Sequence, residues 1–295
     1  MASFFDEVAK NKLKSFLLMA IFSALFAAIV YLFVLVLGGG LIALTIGIAI
    51  IIAYAAVVYF MGDRLVLSMS RAQEADPKQY KSLYDIVENL AIANQVKMPK
   101  IYVIKDPNPN AFATGRNKNK ASVAVTTGLL GMMSNEQLEG VLAHEMSHIF
   151  ENDVQFMMIA VVFAGAIGII AIVLRNLFWF GGRGRNGGIL VLIGLAAGFI
   201  APLMAMLIRL AISRRREYMA DANGARVIRN PEALASALKK IQAYSANPQS
   251  TPVQHANEMT ASLYFSNPFK LKKMGSIFST HPPIEERIKR LESMY

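Results

Sequence analysis

Cysteine is absent from the 295 residues. Disulfides, thiolate metal sites and thiol redox chemistry are excluded with it, and redox grounds fix no compartment. Charge is scarce: Asp, Glu, Lys and Arg make up 17%, against roughly 25% in average soluble proteins. Histidine occurs only four times, so any clustering of it carries weight. With 55% apolar residues the chain is neither disordered nor a coiled coil. The charge that exists leans basic, 30 Lys and Arg against 20 Asp and Glu. A nucleic-acid surface would interleave basic residues with aromatics on one face. Here many basic residues instead flank long apolar blocks, the pattern of a membrane boundary. No nucleic-acid partner is expected; a lipid bilayer is.

Residues 15–37 and 41–60 are uncharged, and each meets the roughly 20 residues needed to cross a bilayer core. The first run is too long for a signal-peptide core and should stay as an anchor. Gly38, Gly39 and Gly40 between them predict a very tight hairpin. Two further blocks, 154–174 and 189–207, flank a loop rich in Gly and Arg, FGGRGRNGG. This second pair is expected to be a transmembrane or membrane-associated hairpin. Lys10, Lys12 and Lys14 precede the first block; Arg64, Arg71, Lys78 and Lys81 follow the second; Arg209, Arg214, Arg215 and Arg216 follow the fourth. With four crossings all of them lie on one side, which the positive-inside rule makes the cytoplasm. Arg175, Arg183 and Arg185 in the intervening loop run against that rule.

Residues 61–153 and 208–295 remain, together long enough for one domain core. Asp76-Pro77 is expected to open a helix with Leu83, Val87, Leu90 and Ala91 at helical spacing. Residues 100–104 read as a strand, and 111–114 and 122–125 as hairpin strands around GRNKNK. Ser134 and Gln137 form a capping box. Asn230-Pro231 opens another helix, and Pro283 the last one.

His144-Glu145-Met146-Ser147-His148 has the H-E-x-x-H pattern. On a helix, residues four apart share a face, so both imidazoles can meet one cation. Glu145 is offset around the helix and can reach a water activated there, as general base. A catalytic zinc site needs a third protein ligand and one open position. The metzincin extension would require Gly at 151 and His at 154, where this chain has Glu151 and Val154. His255, His281 and acidic residues remain. Glu217 is the best placed, in Arg216-Glu217-Tyr218-Met219-Ala220-Asp221 just past the fourth apolar block. Asp221, one turn on, can accept a hydrogen bond from a ligand histidine. His148 stands just before the third block and Glu217 just after the fourth. An even number of crossings returns both to one side at one depth.

These segments resemble the HtpX-type membrane zinc metalloproteases, a bacterial heat-shock protease family, and more distantly the CAAX prenyl proteases. The resemblance spans the whole chain: the N-terminal apolar pair, HEMSH, the second apolar pair, EYMAD and the late STHPP. It implies a gluzincin-type endopeptidase of the cytoplasmic (inner) membrane with one Zn2+ per chain. It assigns zinc to His144, His148 and Glu217 and the base to Glu145. It implies unfolded or membrane protein substrates, with a role in quality control under stress.

Two weaker features accompany this core. His281, beside Pro282 and Pro283, is a candidate donor to the oxyanion of the tetrahedral intermediate, or a local cap. Asn110, Ala111, Phe112 and Ala113 look like the family's segment ahead of the active-site helix; as an edge strand they could take an extended substrate. The expected architecture is a multi-pass α-helical membrane protein with a mainly helical α+β zincin domain. The chain divides into a cytoplasmic N-terminus (1–14), hairpin 1 (15–60), a first catalytic segment (61–153), hairpin 2 (154–207) and a second catalytic segment (208–295). An intramembrane protease fits less well, because Glu136, Gln137, Glu139, Glu151, Asn152 and Asp153 surround the motif. A zinc-stabilised scaffold without catalysis would need four protein ligands and no base.

Overall fold

The computed structural model describes residues 40–162, 214–247, 253, 263–266 and 282–294, with isolated positions at 13, 16, 17, 20, 21 and 24. Helix α1 (Gly40–Met69) opens the described chain. The stretch Ile48–Met69 is long and apolar enough to cross a membrane. Ile42, Ile52 and Phe60 stand exposed along α1 at 75%, 65% and 60%, an apolar surface that water would penalise. Val58 and Val66 face inward instead. The expected second apolar run ends at Phe60, but the helix continues through Asp63 and Arg64 to Met69.

Strands β1 (Gln73–Glu74), β2 (Lys100–Ile104), β3 (Ala111–Asn117) and β4 (Lys120–Thr126) form one sheet in the order β1-β2-β4-β3. The pairs β1–β2 and β3–β4 are antiparallel, and β2–β4 is parallel. β3 is thus a terminal strand. β4 is buried at six consecutive positions after Lys120, so both sheet faces are covered and its sequence is apolar or small throughout. The β3–β4 turn is tighter than the GRNKNK segment suggests, because pairing runs out to Asn117 and Lys120. Gly115 makes this possible at φ +154: a Cβ there would lie 2.6 Å from the Ala121 Cα and the Lys120 carbonyl oxygen.

One sheet face packs Ala111, Ala113, Val123 and Val125 against helices α2 (Lys81–Ala93), α4 (Asn135–Phe150) and α7 (Pro231–Ala246). α2 begins four residues after the expected start. Asp76 holds a turn instead, its side chain accepting the Lys78 N–H at 2.9 Å. Helix α3 (Thr127–Met132) is capped by Thr126, whose hydroxyl accepts the Leu129 N–H. α4 opens on the Ser134–Gln137 capping box with both hydrogen bonds formed. Asn230 caps α7 through the Ala233 N–H at 3.1 Å.

Helix α5 (Asp153–Val162) is apolar and follows α4 almost directly. It runs beside α1, with Met158 Sδ 3.0 Å from where a Gly62 Cβ would sit and the Tyr54 hydroxyl donating to the Val162 carbonyl. The rest of the expected second hairpin, and residues 15–39 apart from the isolated positions, lie outside the described residues. Helices α6 (Arg214–Ile228) and α8 (Ile284–Glu292) complete the bundle around α4.

The α4–α7 contact depends on Gly140, where a Cβ would meet the Leu234 backbone nitrogen at 2.8 Å. Gly140→Val should force the helices apart and cost about 1–3 kcal/mol. Thermal denaturation followed by helical circular dichroism checks this, with a lower melting temperature expected.

Candidate metal centre

α4 is buried on nearly its whole circumference from Gly140 to Ile149, which takes His144, Glu145 and His148 out of water at 1%, 2% and 4% exposure. α6 crosses it closely at Gly224, where a Cβ would stand 3.0 Å from the His144 backbone nitrogen. Glu217, Asp221 and Gly224 share one face of α6 at helical spacing. Close approach at Gly224 therefore delivers both carboxylates to the histidines.

Nε2 of His144 and Nε2 of His148 face each other at 3.3 Å. Glu217 Oε2 lies 3.7 Å from the first and Oε1 3.6 Å from the second. One donor atom from each residue falls within 4.8 Å of the others. A tetrahedral ion with bonds of about 2.0–2.1 Å has ligand–ligand edges of about 3.3–3.4 Å. The observed separations are close to those edges.

The far ring nitrogens explain why the near ones converge. His144 Nδ1 is 2.9 Å from Asp221 Oδ1, and His148 Nδ1 is 3.2 Å from Asp153 Oδ2. A carboxylate only accepts, so each Nδ1 carries the proton and each Nε2 presents a lone pair. Two lone pairs aimed at one point beside a carboxylate repel unless a cation lies between them. The donor set fits a metal ion held by three protein ligands.

Behind Asp221 stands Arg287 of α8, buried at 2% exposure. Its Nε donates to Asp221 Oδ2 at 2.8 Å and its Nη2 to Oδ1 at 2.7 Å, a bidentate pair. Nη1 donates to the Phe265 carbonyl at 3.3 Å, and the guanidinium lies 4.8 Å over the Phe265 ring. Burial works against an Asp221 anion, but Arg287 and His144 outweigh it and hold the carboxyl below the usual range. Asp153 has a cation of its own, Arg216 Nε at 3.9 Å, which stacks on Phe156.

Burial pulls the His144 pKa down to about 4, against the pull of Asp221. Burial acts the same way on His148, but Asp153 and Glu217 overcome it and raise the ring to about 9, so without a cation between the rings its Nε2 would hold a proton that metal binding displaces. Glu145 is pushed up to about 7 by burial, with Glu217 adding to it and His148 and the Ala113 N–H opposing. A carboxyl poised near neutrality suits a group that must take a proton and give it back.

His144, His148, Glu217, Asp221 and Glu145 thus come together. His255 and His281 lie outside the described residues. Around Asn110–Ala113 the chain contacts itself: the Phe265 N–H donates to the Ala111 carbonyl at 2.8 Å. The Asn110 side chain pairs with both backbone groups of Ser266. Sequence reasoning missed Asp153, Arg216, Phe265 and Arg287. For Arg287 a signal existed: Ile284, Arg287, Ile288 and Leu291 form one stripe of α8, and a cation in an apolar stripe needs a buried partner. Asp153 carried a fainter one, an acid at the mouth of an apolar block.

A family model for peptidase family M48 matches residues 77–295. The protease HtpX homologue of Caldanaerobacter subterraneus subsp. tengcongensis is 43% identical over 298 residues, covering 98% of this chain and 97% of that protein. The homologue of Thermoanaerobacter pseudethanolicus is 42% identical with the same coverage. That of Ligilactobacillus salivarius is 40% identical over 302 residues, covering 98% and 99%. Among solved structures, S. mikatae Ste24p is similar with a TM-score of 0.51 at 17% identity. That match covers 97% of this chain and 66% of Ste24p, and it bears on the fold alone.

The geometry sets an order of effects on metal affinity. Glu217→Ala removes a ligand and a charge and should lose the metal most completely. Asp221→Asn and Arg287→Gln should each weaken binding by about 10–100-fold, the usual effect of losing an outer-sphere partner. Because both act through one carboxylate, the double variant should fall well short of their product. Chelator competition on the purified chain measures all four.

Proposed function

The chain belongs to peptidase family M48, and on that premise we propose that it is a membrane-bound zinc endopeptidase acting on unfolded or damaged membrane proteins. It is a metallopeptidase. The observation that carries the reading is the convergence of two imidazole Nε2 atoms and a carboxylate at tetrahedral separations, with a buried Glu145 on the same helix.

His144, His148 and Glu217 would hold the zinc, which when bound would supply a Lewis acid for the scissile carbonyl and a lowered pKa for the attacking water. Glu145 takes the proton from the attacking water and returns it to the leaving amine nitrogen. Asp221 and Asp153 keep the Nδ1 protons in place, so neither imidazole can turn its donor toward the ion. Arg287 keeps Asp221 ionised. Burial excludes bulk water and strengthens each of these charge interactions. His281 is proposed as a donor to the oxyanion.

The exposed apolar face of α1 and the apolar α5 support a membrane setting. The basic flanks at Arg64, Arg71, Lys78, Lys81 and Arg214 to Arg216 support the inner membrane, with four crossings and the two catalytic segments and both termini facing the cytoplasm. Heat or envelope stress, which exposes apolar segments of membrane proteins, would supply the substrates.

Glu145→Ala should abolish casein digestion while zinc per chain stays at the wild-type level, because Glu145 works on the water and not on the ion. Digestion near the native rate would remove the assignment, and so would a zinc-retaining wild type that never cleaves. For orientation, Asn117→Cys gives a chain with a single thiol. An impermeant maleimide should leave it unlabelled in intact cells and label it after lysis; labelling from outside would reverse the topology.

A further inference from the structure

The tip of the β3–β4 hairpin is unused by the metal centre, and its surroundings are specific. Arg116, Lys118 and Lys120 bring three cations into five residues with no acid among them. Lys118, Asn119 and Lys120 are exposed and Arg116 is half-buried. Two contacts fix where the tip sits. The Arg116 guanidinium lies 5.4 Å over the Phe60 ring of α1. The Lys118 N–H donates at 3.2 Å to Asn152 Oδ1, at the junction from which α5 departs.

Both anchors belong to the two apolar helices or their borders. Phe60 and Met61 are the last large exposed apolar residues before Asp63 and Arg64 on α1. Asn152 precedes Asp153, where the apolar helix α5 begins. Arg64, exposed one turn beyond Phe60, adds a fourth cation on that face. Among the described residues no carboxylate forms an ion pair with any of the four. A patch of unpaired cations at the mouth of two apolar helices meets phosphate before it meets bulk water.

We propose that the hairpin tip, residues 116–120, together with Arg64, is a contact site for anionic phospholipid headgroups. The proposal rests on the membrane reading given above. Headgroup phosphates satisfy Lys118 and Lys120 directly, and Arg116 reaches them while its planar face stays on Phe60. Since Ala113 of the same strand donates its N–H to Glu145, the headgroup contact holds the strand that borders the catalytic helix. An acidic stretch of a protein substrate would carry similar charge. The lipid is favoured because Arg116 lies over Phe60 on the exposed apolar face of α1 and Arg64 stands exposed one turn along the same helix.

Asn119→Cys places one thiol at the exposed tip of a chain that has no other. The full chain, labelled there with an environment-sensitive dye, is reconstituted in nanodiscs of phosphatidylcholine alone or mixed equally with phosphatidylglycerol. Each disc carries a trace of headgroup-nitroxide lipid. Quenching should be stronger in the mixed discs and weaken in high salt, where the Debye length shrinks to about 3 Å at 1 M. Lys118→Gln and Lys120→Gln should each reduce local phosphatidylglycerol enrichment by about fivefold. Equal quenching in both discs, indifference to both substitutions, or a response only when an acidic peptide is added overturns the proposal. Casein digestion and zinc content of the same discs are read in parallel. Discs that digest casein without lipid-dependent quenching refute the hairpin contact alone, and discs that quench but never digest refute the protease reading alone.

Discussion

Asp221 sits at 2% exposure between an imidazole and a guanidinium. An unpaired carboxylate so deeply buried would be costly, and Arg287 at the same depth would be costly too. Each is tolerable only because the other is there. Their pairing fixes the orientation of the carboxylate, the carboxylate fixes the His144 ring, and the ring fixes the direction of the Nε2 lone pair. Through this one contact α8 holds a metal-ligand candidate on α4, and α6 cannot slide without breaking it. The fork geometry explains why the cation is arginine: a lysine would neutralise Asp221 but could not engage both of its oxygens.

A second arrangement repeats the logic on the other imidazole. His148 is turned by Asp153, which has Arg216 beside it, and Arg216 rests on Phe156 of α5. Asp153 is the first residue of the apolar helix, and Arg216 lies within the first turn of α6. The orientation of His148 is therefore set at the point where the chain leaves the catalytic core for its apolar segment and near the point where it returns. Local rearrangement of α5 would reach the His148 ring through a single carboxylate. The sheet contributes differently: β3 supplies a backbone N–H to Glu145, and Leu263 to Ser266 fill the space beside Asn110 and Ala111.

The H-E-x-x-H pair was legible because its geometry is local. Residues four apart on one helix face the same way wherever the helix lies, and the Ser134–Gln137 box announced the helix. The strand at Lys100–Ile104, the cap at Asn230 and the helix after Pro283 were legible for the same reason, since each depends on a few adjacent residues. Helix α2 was placed too early because the Asp76 side chain captures a backbone N–H that a helix would have used. Glu217 was only partly legible. Its spacing to Asp221 put both on one face, but nothing in their own segment said which way that face would turn.

Sequence by itself determined the chemistry on offer: no thiol, two imidazoles and a carboxylate on one helix, apolar blocks long enough for a bilayer and basic residues at their borders. These follow from residue identity and short-range periodicity, which survive any arrangement of the elements. Only the tertiary structure decided which carboxylate faces which imidazole and that an arginine 66 residues from Asp221 neutralises it. It alone decided that a hairpin tip stands beside the exit of α1. Those pairings join segments far apart in the chain, and burial selects them: a charge removed from water must find its counter-charge in space, wherever in the sequence that partner lies.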